Sequence, residues 1–214
     1  IVAILALILG NIADFKGYKK KFFTSFLIIA VTVTALMGLI PAGMWVGFMV
    51  LYILANVGFS GTNIFYDSFI TDVTTNERMD RISALGYGYG YIGGALASII
   101  SIVPYFLAVT GVVAVPYDPA VLLKIAFFVT AAWWLVFSLP MIKNAQQIHY
   151  VQPRPHPLRS SFKQLAETAR KISRYKYAVI FLVAFFFYID GVHTIIKMAS
   201  MFGKELINEA NSPI

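Results

Sequence analysis

The sequence predicts an all-α, polytopic membrane helix bundle of five full spans and one partial, and its composition and long apolar runs are what point to it. Hydrophobic residues make up 59% of the chain and charged residues 13%, at a mean hydropathy of +0.75. That balance cannot cover a globular surface of this size with polar groups. Five apolar runs each come close to the about 20 residues needed to cross a bilayer as a helix. A membrane barrel would need short strands of alternating hydrophobicity in place of these continuous runs.

The elements follow in order. Residues 1–9 are apolar from the start, yet nine residues rise only about 13 Å as a helix, too short to span. They read as a partial helix and carry no charged segment or cleavage site of a signal peptide. Full spans are expected over 22–40, 44–66, 85–109, 120–142 and 178–201. From Lys204 onward the chain reads as a polar loop with Asn208, Asn211 and Pro213. Both ends read as cut, so a fragment is expected. Residues 1–142 hold the partial helix and four full spans, 143–177 a long central loop, and 178–214 the last full span with the start of the next loop.

The net charge of +7 sits mostly between the spans, a pattern of membrane topology with no need of a nucleic-acid partner. Lys16, Lys19, Lys20 and Lys21 occupy the first loop, Arg78 and Arg81 the third, and eight basic residues the fifth, while the second and fourth carry none. The odd loops therefore face the cytoplasm by the positive-inside rule. In the central loop Pro153, Pro155 and Pro157 favour an extended stretch. Ser161 with Gln164 then fits a capping box, and Phe162, Leu165, Ala166, Ala169 and Ile172 follow at helical spacing. Such a basic amphipathic helix suits the anionic membrane surface, so membrane lipid is an expected partner; a solvated linker is the alternative. With no cysteine, the chain has neither disulfides nor thiolate metal sites.

Gly10, Asp14, Gly17, Lys19 and Lys20 make a glycine, acid and basic turn on the cytoplasmic side, with Phe15 at a position usually basic. This stretch resembles the loop signature of the major facilitator superfamily. The blocks from Asn63 to Gly94 and from Phe187 to Ile196 are similar to the branch related to fungal vacuolar amino-acid effluxers. The resemblance implies a twelve-helix transporter of which this chain covers helices two to seven. It also implies that the glycines allow a tight turn and that Asp14 helps lock one conformation through neighbouring helix ends.

Within the spans, Gly86, Gly90 and Gly94 continue through Ala97 and Ser101 as a small-residue stripe suited to helix packing. Asn56, Ser60 and Asn63 share one polar helix face, fit either to line a solute site or to join helices. Asp72, Arg78 and Arg81 stand at the cytoplasmic ends as candidate gating charges, and Asp14 is expected to pair with Arg81 in one state. Asp190, His193 and Lys197 lie at i, i+3 and i+7 on one face of the last span. A carboxylate near mid-membrane costs at least a few kcal/mol by insertion scales, so Asp190 must face protein, water or a partner charge. It can hold a proton or a substrate amine, or pair structurally.

The function expected is secondary transport of a small solute by alternating access, with Asp190, His193, Asn56 and Asn63 as substrate or proton ligands; amino-acid efflux is what the resemblance implies. A membrane structural or sensor protein is the alternative. No catalytic residue, cofactor or metal site is expected, because no nucleophile–base or metal constellation lies within a span. Localisation is expected in a bacterial cytoplasmic membrane or an organelle membrane, with the remainder of the polypeptide as a further partner.

Overall fold

The computed structural model describes residues 13–41, 43–111, 116–150, 167 and 170–210, with backbone only at 193, 197, 199–201 and 203–210. All regular structure among these residues is helical: α1 (Tyr18–Met37), α2 (Trp45–Ser68), a single turn α3 (Ile70–Val73), a 3-10 turn (Asn76–Arg78), α4 (Met79–Thr110), α5 (Pro119–Asn144) and α6 (Lys176–Ala210). Five stretches are long and apolar enough to cross a membrane. The chain is a multi-pass integral membrane protein. It divides into two compact units at 161/162, so α1–α5 and α6 are described separately.

In the first unit α1 packs against α2 and α5, and α4 against α5. The buried face of α1 is Lys19, Phe23, Leu27, Ala30, Val33 and Met37, a stripe at the helical repeat. Phe65 of α2 stacks between Phe22 and Phe26, with ring centroids 5.4 and 5.8 Å away, and Phe69 meets the edge of Phe23. Ala13, Ala145, Trp134, Met141 and Ile142 complete this cluster at the lysine-rich end.

Close approach of α1 and α2 depends on Gly58 and Gly61. A Cβ on Gly58 would lie 2.7 Å from Ala30 Cβ and 3.0 Å from its Cα, and one on Gly61 would enter the Phe26 ring. Packing rather than hydrophobicity holds membrane helices together, so small residues here decide the contact. Gly58→Ala should destabilise the first unit by about 1–3 kcal/mol through overpacking. A lower unfolding temperature in detergent, partly restored by adding Ala30→Gly, is the expected reading; an unchanged temperature in the single variant would refute it.

Among the described residues, and apart from α4's own backbone, nothing lies within 4 Å of a Cβ built at Gly90 or Gly94 of the expected packing stripe, and at Gly86 the Tyr66 hydroxyl lies 3.9 Å away. The stripe makes contact at its far end, where Ser101 is buried and its Oγ lies 3.3 Å from Thr130 Oγ1 of α5.

Two helix limits also differ from expectation. α4 starts at Met79, six residues before position 85, because the 3-10 turn leads straight into it and Asp80 suits the positive end of the helix dipole. α6 continues to Ala210, so the polar loop expected from Lys204 is helix up to that residue. Hydropathy falls there, yet Lys204, Glu205, Leu206 and Ala210 are good helix formers. Of the expected amphipathic helix, Phe162, Leu165, Ala166 and Ala169 lie outside the described residues, while 170–172 are helical.

Candidate functional site

The polar residues of the first unit converge at its lysine-rich end, around Asp72. The inward stripe of α1 begins at Lys19, so the helix register itself carries this lysine into the interior. Lys19 is 4% exposed and Asp72 6%. Lys19 Nζ donates to Asp72 Oδ2 at 2.7 Å and to the Ser68 carbonyl at 3.1 Å, and stands 5.4 Å from the centre of the Phe69 ring. A buried ion pair is tolerated only when its remaining hydrogen-bonding capacity is met. Here it is met on both sides.

The other carboxylate oxygen holds the segment that follows α5. Asp72 Oδ1 accepts from the backbone N–H of Ile148 at 3.1 Å and of His149 at 2.8 Å, and His149 Nδ1 lies 3.2 Å from it. Gln147 ties the same segment to the loop before α1: Gly17 N–H donates to its Oε1 at 2.9 Å, and its Nε2 donates to the Ala13 carbonyl at 3.0 Å. Gly17 is left-handed at φ 78°, the conformation that turns its N–H toward Gln147 and starts α1. Lys16 Nζ sits 5.3 Å from the centre of the Tyr150 ring. Residues 145–150 thus form a strap across the loop signature.

Asp14, Lys19, Thr71, Ile148, His149 and Tyr150 line a shallow open cleft beside the strap. Partial desolvation pushes the Asp14 carboxyl above the ordinary carboxylate range; nearby Lys19 opposes the shift and Asp72 adds to it. Among the described residues no group of three His, Cys, Asp or Glu could hold a metal ion.

The expected site residues fall into three sets. Asp14, Gly17, Lys19 and Asp72 come together here, with Lys20 half-buried beside them in sequence. Among the described residues the ion pair is Lys19 with Asp72, and His149 Nδ1 lies beside the same carboxylate, whereas Arg78 and Arg81 are exposed. The acid–base pair formed at this end in the structure is Lys19 with Asp72. Gly10 lies outside the described residues.

Asn56 and Asn63 are exposed on α2, on a different face from Gly58, Gly61 and Phe65, and Asn56 Nδ2 donates to the Tyr52 carbonyl at 3.0 Å. Asp190 is exposed within its own unit, fourteen residues into α6 and about 21 Å along its axis. Thr194 Oγ1 donates to the Asp190 carbonyl at 2.9 Å, and the His193 side chain lies outside the described residues.

Sequence reasoning missed Gln147 and His149. Their only signal is position, in a short polar stretch directly after a span whose end is fixed by packing.

Long apolar helices with a buried charge cluster at one end define a polytopic helical membrane protein. The chain belongs to the family described as vacuole effluxer Atg22 like, whose model matches residues 1–77 and 70–213. It is 45% identical over 206 residues to an uncharacterised MFS-type transporter, YxiO, of Bacillus subtilis strain 168, covering 96% of this chain and 48% of the relative. It is 31% identical over 138 residues to autophagy-related protein 22-1 of Penicillium rubens, covering 60% of this chain and 22% of the relative. The chain thus spans about half, or less, of the length of the curated relatives it matches. No solved structure matches it. The resemblance to the major facilitator superfamily and its branch of fungal vacuolar effluxers is borne out.

Proposed function

We propose that this chain is part of a secondary transporter that moves a small solute, an amino acid being the leading class, by alternating access between two helical halves. The observation that carries the reading is the buried Lys19–Asp72 pair built into the loop signature, in a chain of the Atg22-like family. Residues 1–142 would contribute most of one half, 143–177 the central loop, and 178–214 the opening helix of the other. The Asp72 cluster would brace the cytoplasmic end of the first half so that its helices move as one body. Asp190 would bind a proton or a substrate amine, with His193 on the same face, and Asn56 and Asn63 would line the solute path.

The amino-acid class rests on the resemblance to fungal vacuolar amino-acid effluxers noted in the sequence, and proton coupling on the acid of α6. The test is uptake by the intact protein in proteoliposomes, with a panel of amino acids and an imposed pH gradient of either sign. Flux of at least one amino acid above that of protein-free vesicles, altered by the gradient, is expected. A folded, reconstituted protein that moves none of the panel under either gradient would reject the reading.

A further inference from the structure

We infer that residues 145–150 are a proton-responsive clasp, in which protonation of His149 tightens the hold of this strap on Asp72. Among the described residues, the hydrogen bonds to Asp72 Oδ1 come from this segment, through two backbone N–H groups and one imidazole nitrogen. The second oxygen is occupied by Lys19. Strength of the clasp therefore depends on what the imidazole offers to a carboxylate that is already buried and paired.

Histidine is the side chain that ordinarily changes charge between about pH 5 and pH 8. As a neutral ring it can offer Asp72 a single dipolar N–H, and only in one tautomer. As an imidazolium it offers a charge-assisted hydrogen bond, roughly twice as strong as a neutral one. The His149 side chain is 71% exposed, while its Nδ1 faces a carboxylate that is fully shielded.

The charged and titratable groups around it are Asp72 of α3, Lys19 of α1, Asp14 and Lys16 of the preceding loop, and Tyr150 of the strap itself. Asp14 shares the cleft and also titrates on the acid side, so it must be separated from His149 by substitution. Loss of the clasp would free six residues, adding up to about 20 Å of slack to the chain that follows. The strap would thereby couple pH on its side of the membrane to the length of the central connection. None of this depends on what the protein carries.

The test is hydrogen–deuterium exchange of the intact protein in lipid nanodiscs, followed at a peptide spanning 145–150 and divided by the intrinsic exchange rate at each pH. Protection should rise about three- to tenfold from pH 7.5 to pH 5.5. The rise should persist in Asp14→Asn and vanish in His149→Gln, an exposed substitution that leaves the core untouched. Protection that does not change with pH, a rise that survives in His149→Gln, or one abolished by Asp14→Asn would each overturn the inference.

Discussion

Asp72→Ala should lower the stability of the first helical unit by about 3–5 kcal/mol, since it strands a buried lysine without its counter-charge. The loss has two parts. Lys19 keeps the Ser68 carbonyl and the Phe69 ring but no anion, and the N–H groups of Ile148 and His149 lose their acceptor. Lys19→Met together with Asp72→Leu should recover the first part, because a buried pair exchanged for apolar residues of similar volume is often neutral. The second part should remain, because the hydrogen bonds of the Ile148 and His149 N–H groups to the carboxylate are still lost, at about 1 kcal/mol each for part-buried donors that can turn to water. Thermal unfolding in detergent, read by tryptophan fluorescence, orders the variants as wild type, double, then single. A single variant as stable as wild type would show that the pair carries no structural weight.

Asp190→Asn should abolish gradient-driven uptake by the intact protein while membrane expression stays at the wild-type level. Asparagine keeps the shape and a hydrogen-bonding group but can neither carry a proton nor balance an ammonium. A carboxylate about 21 Å along a membrane helix is costly to keep, and a purely local structural role would be served by the amide. Uptake under an imposed pH gradient is the discriminating measurement, with counterflow of the same solute as the control for binding. Wild-type uptake with unchanged pH dependence would exclude Asp190 from coupling.

The number and type of helices were legible because hydropathy is a local sum. Each run declares itself whatever its neighbours do, and all five expected spans are helices. Boundaries were less legible. α4 and α6 extend through charged or polar residues that a hydropathy window excludes but helix propensity allows.

The candidate site was only half legible. Asp14, Gly17 and Lys19 stood out as a glycine, acid and base pattern and Asp72 as a separate gating charge, but the pairing of Lys19 with Asp72 did not. Lys19 and Asp72 are 53 positions apart, and the strap lies 76 and 77 positions beyond Asp72. One clue was available: extending the apolar stripe of α1 back one turn from Phe23 lands on Lys19. The glycines point the same way. Those of α4 form the more obvious stripe, yet it is Gly58 and Gly61 of α2, with Gly38 at the end of α1, that press against another helix.

By itself, then, the sequence determined that this protein is a helical membrane chain, where its spans lie and which polar residues need explaining. Those properties depend on apolar run length and on the cost of a charge in hydrocarbon, both set by residues close in sequence. Only the tertiary structure decided that Asp72 is the hub, that Lys19 is its partner and that the chain after α5 closes over both. Such choices depend on helix register and on the distance between remote side chains, which packing of α1 against α2 and α5 establishes.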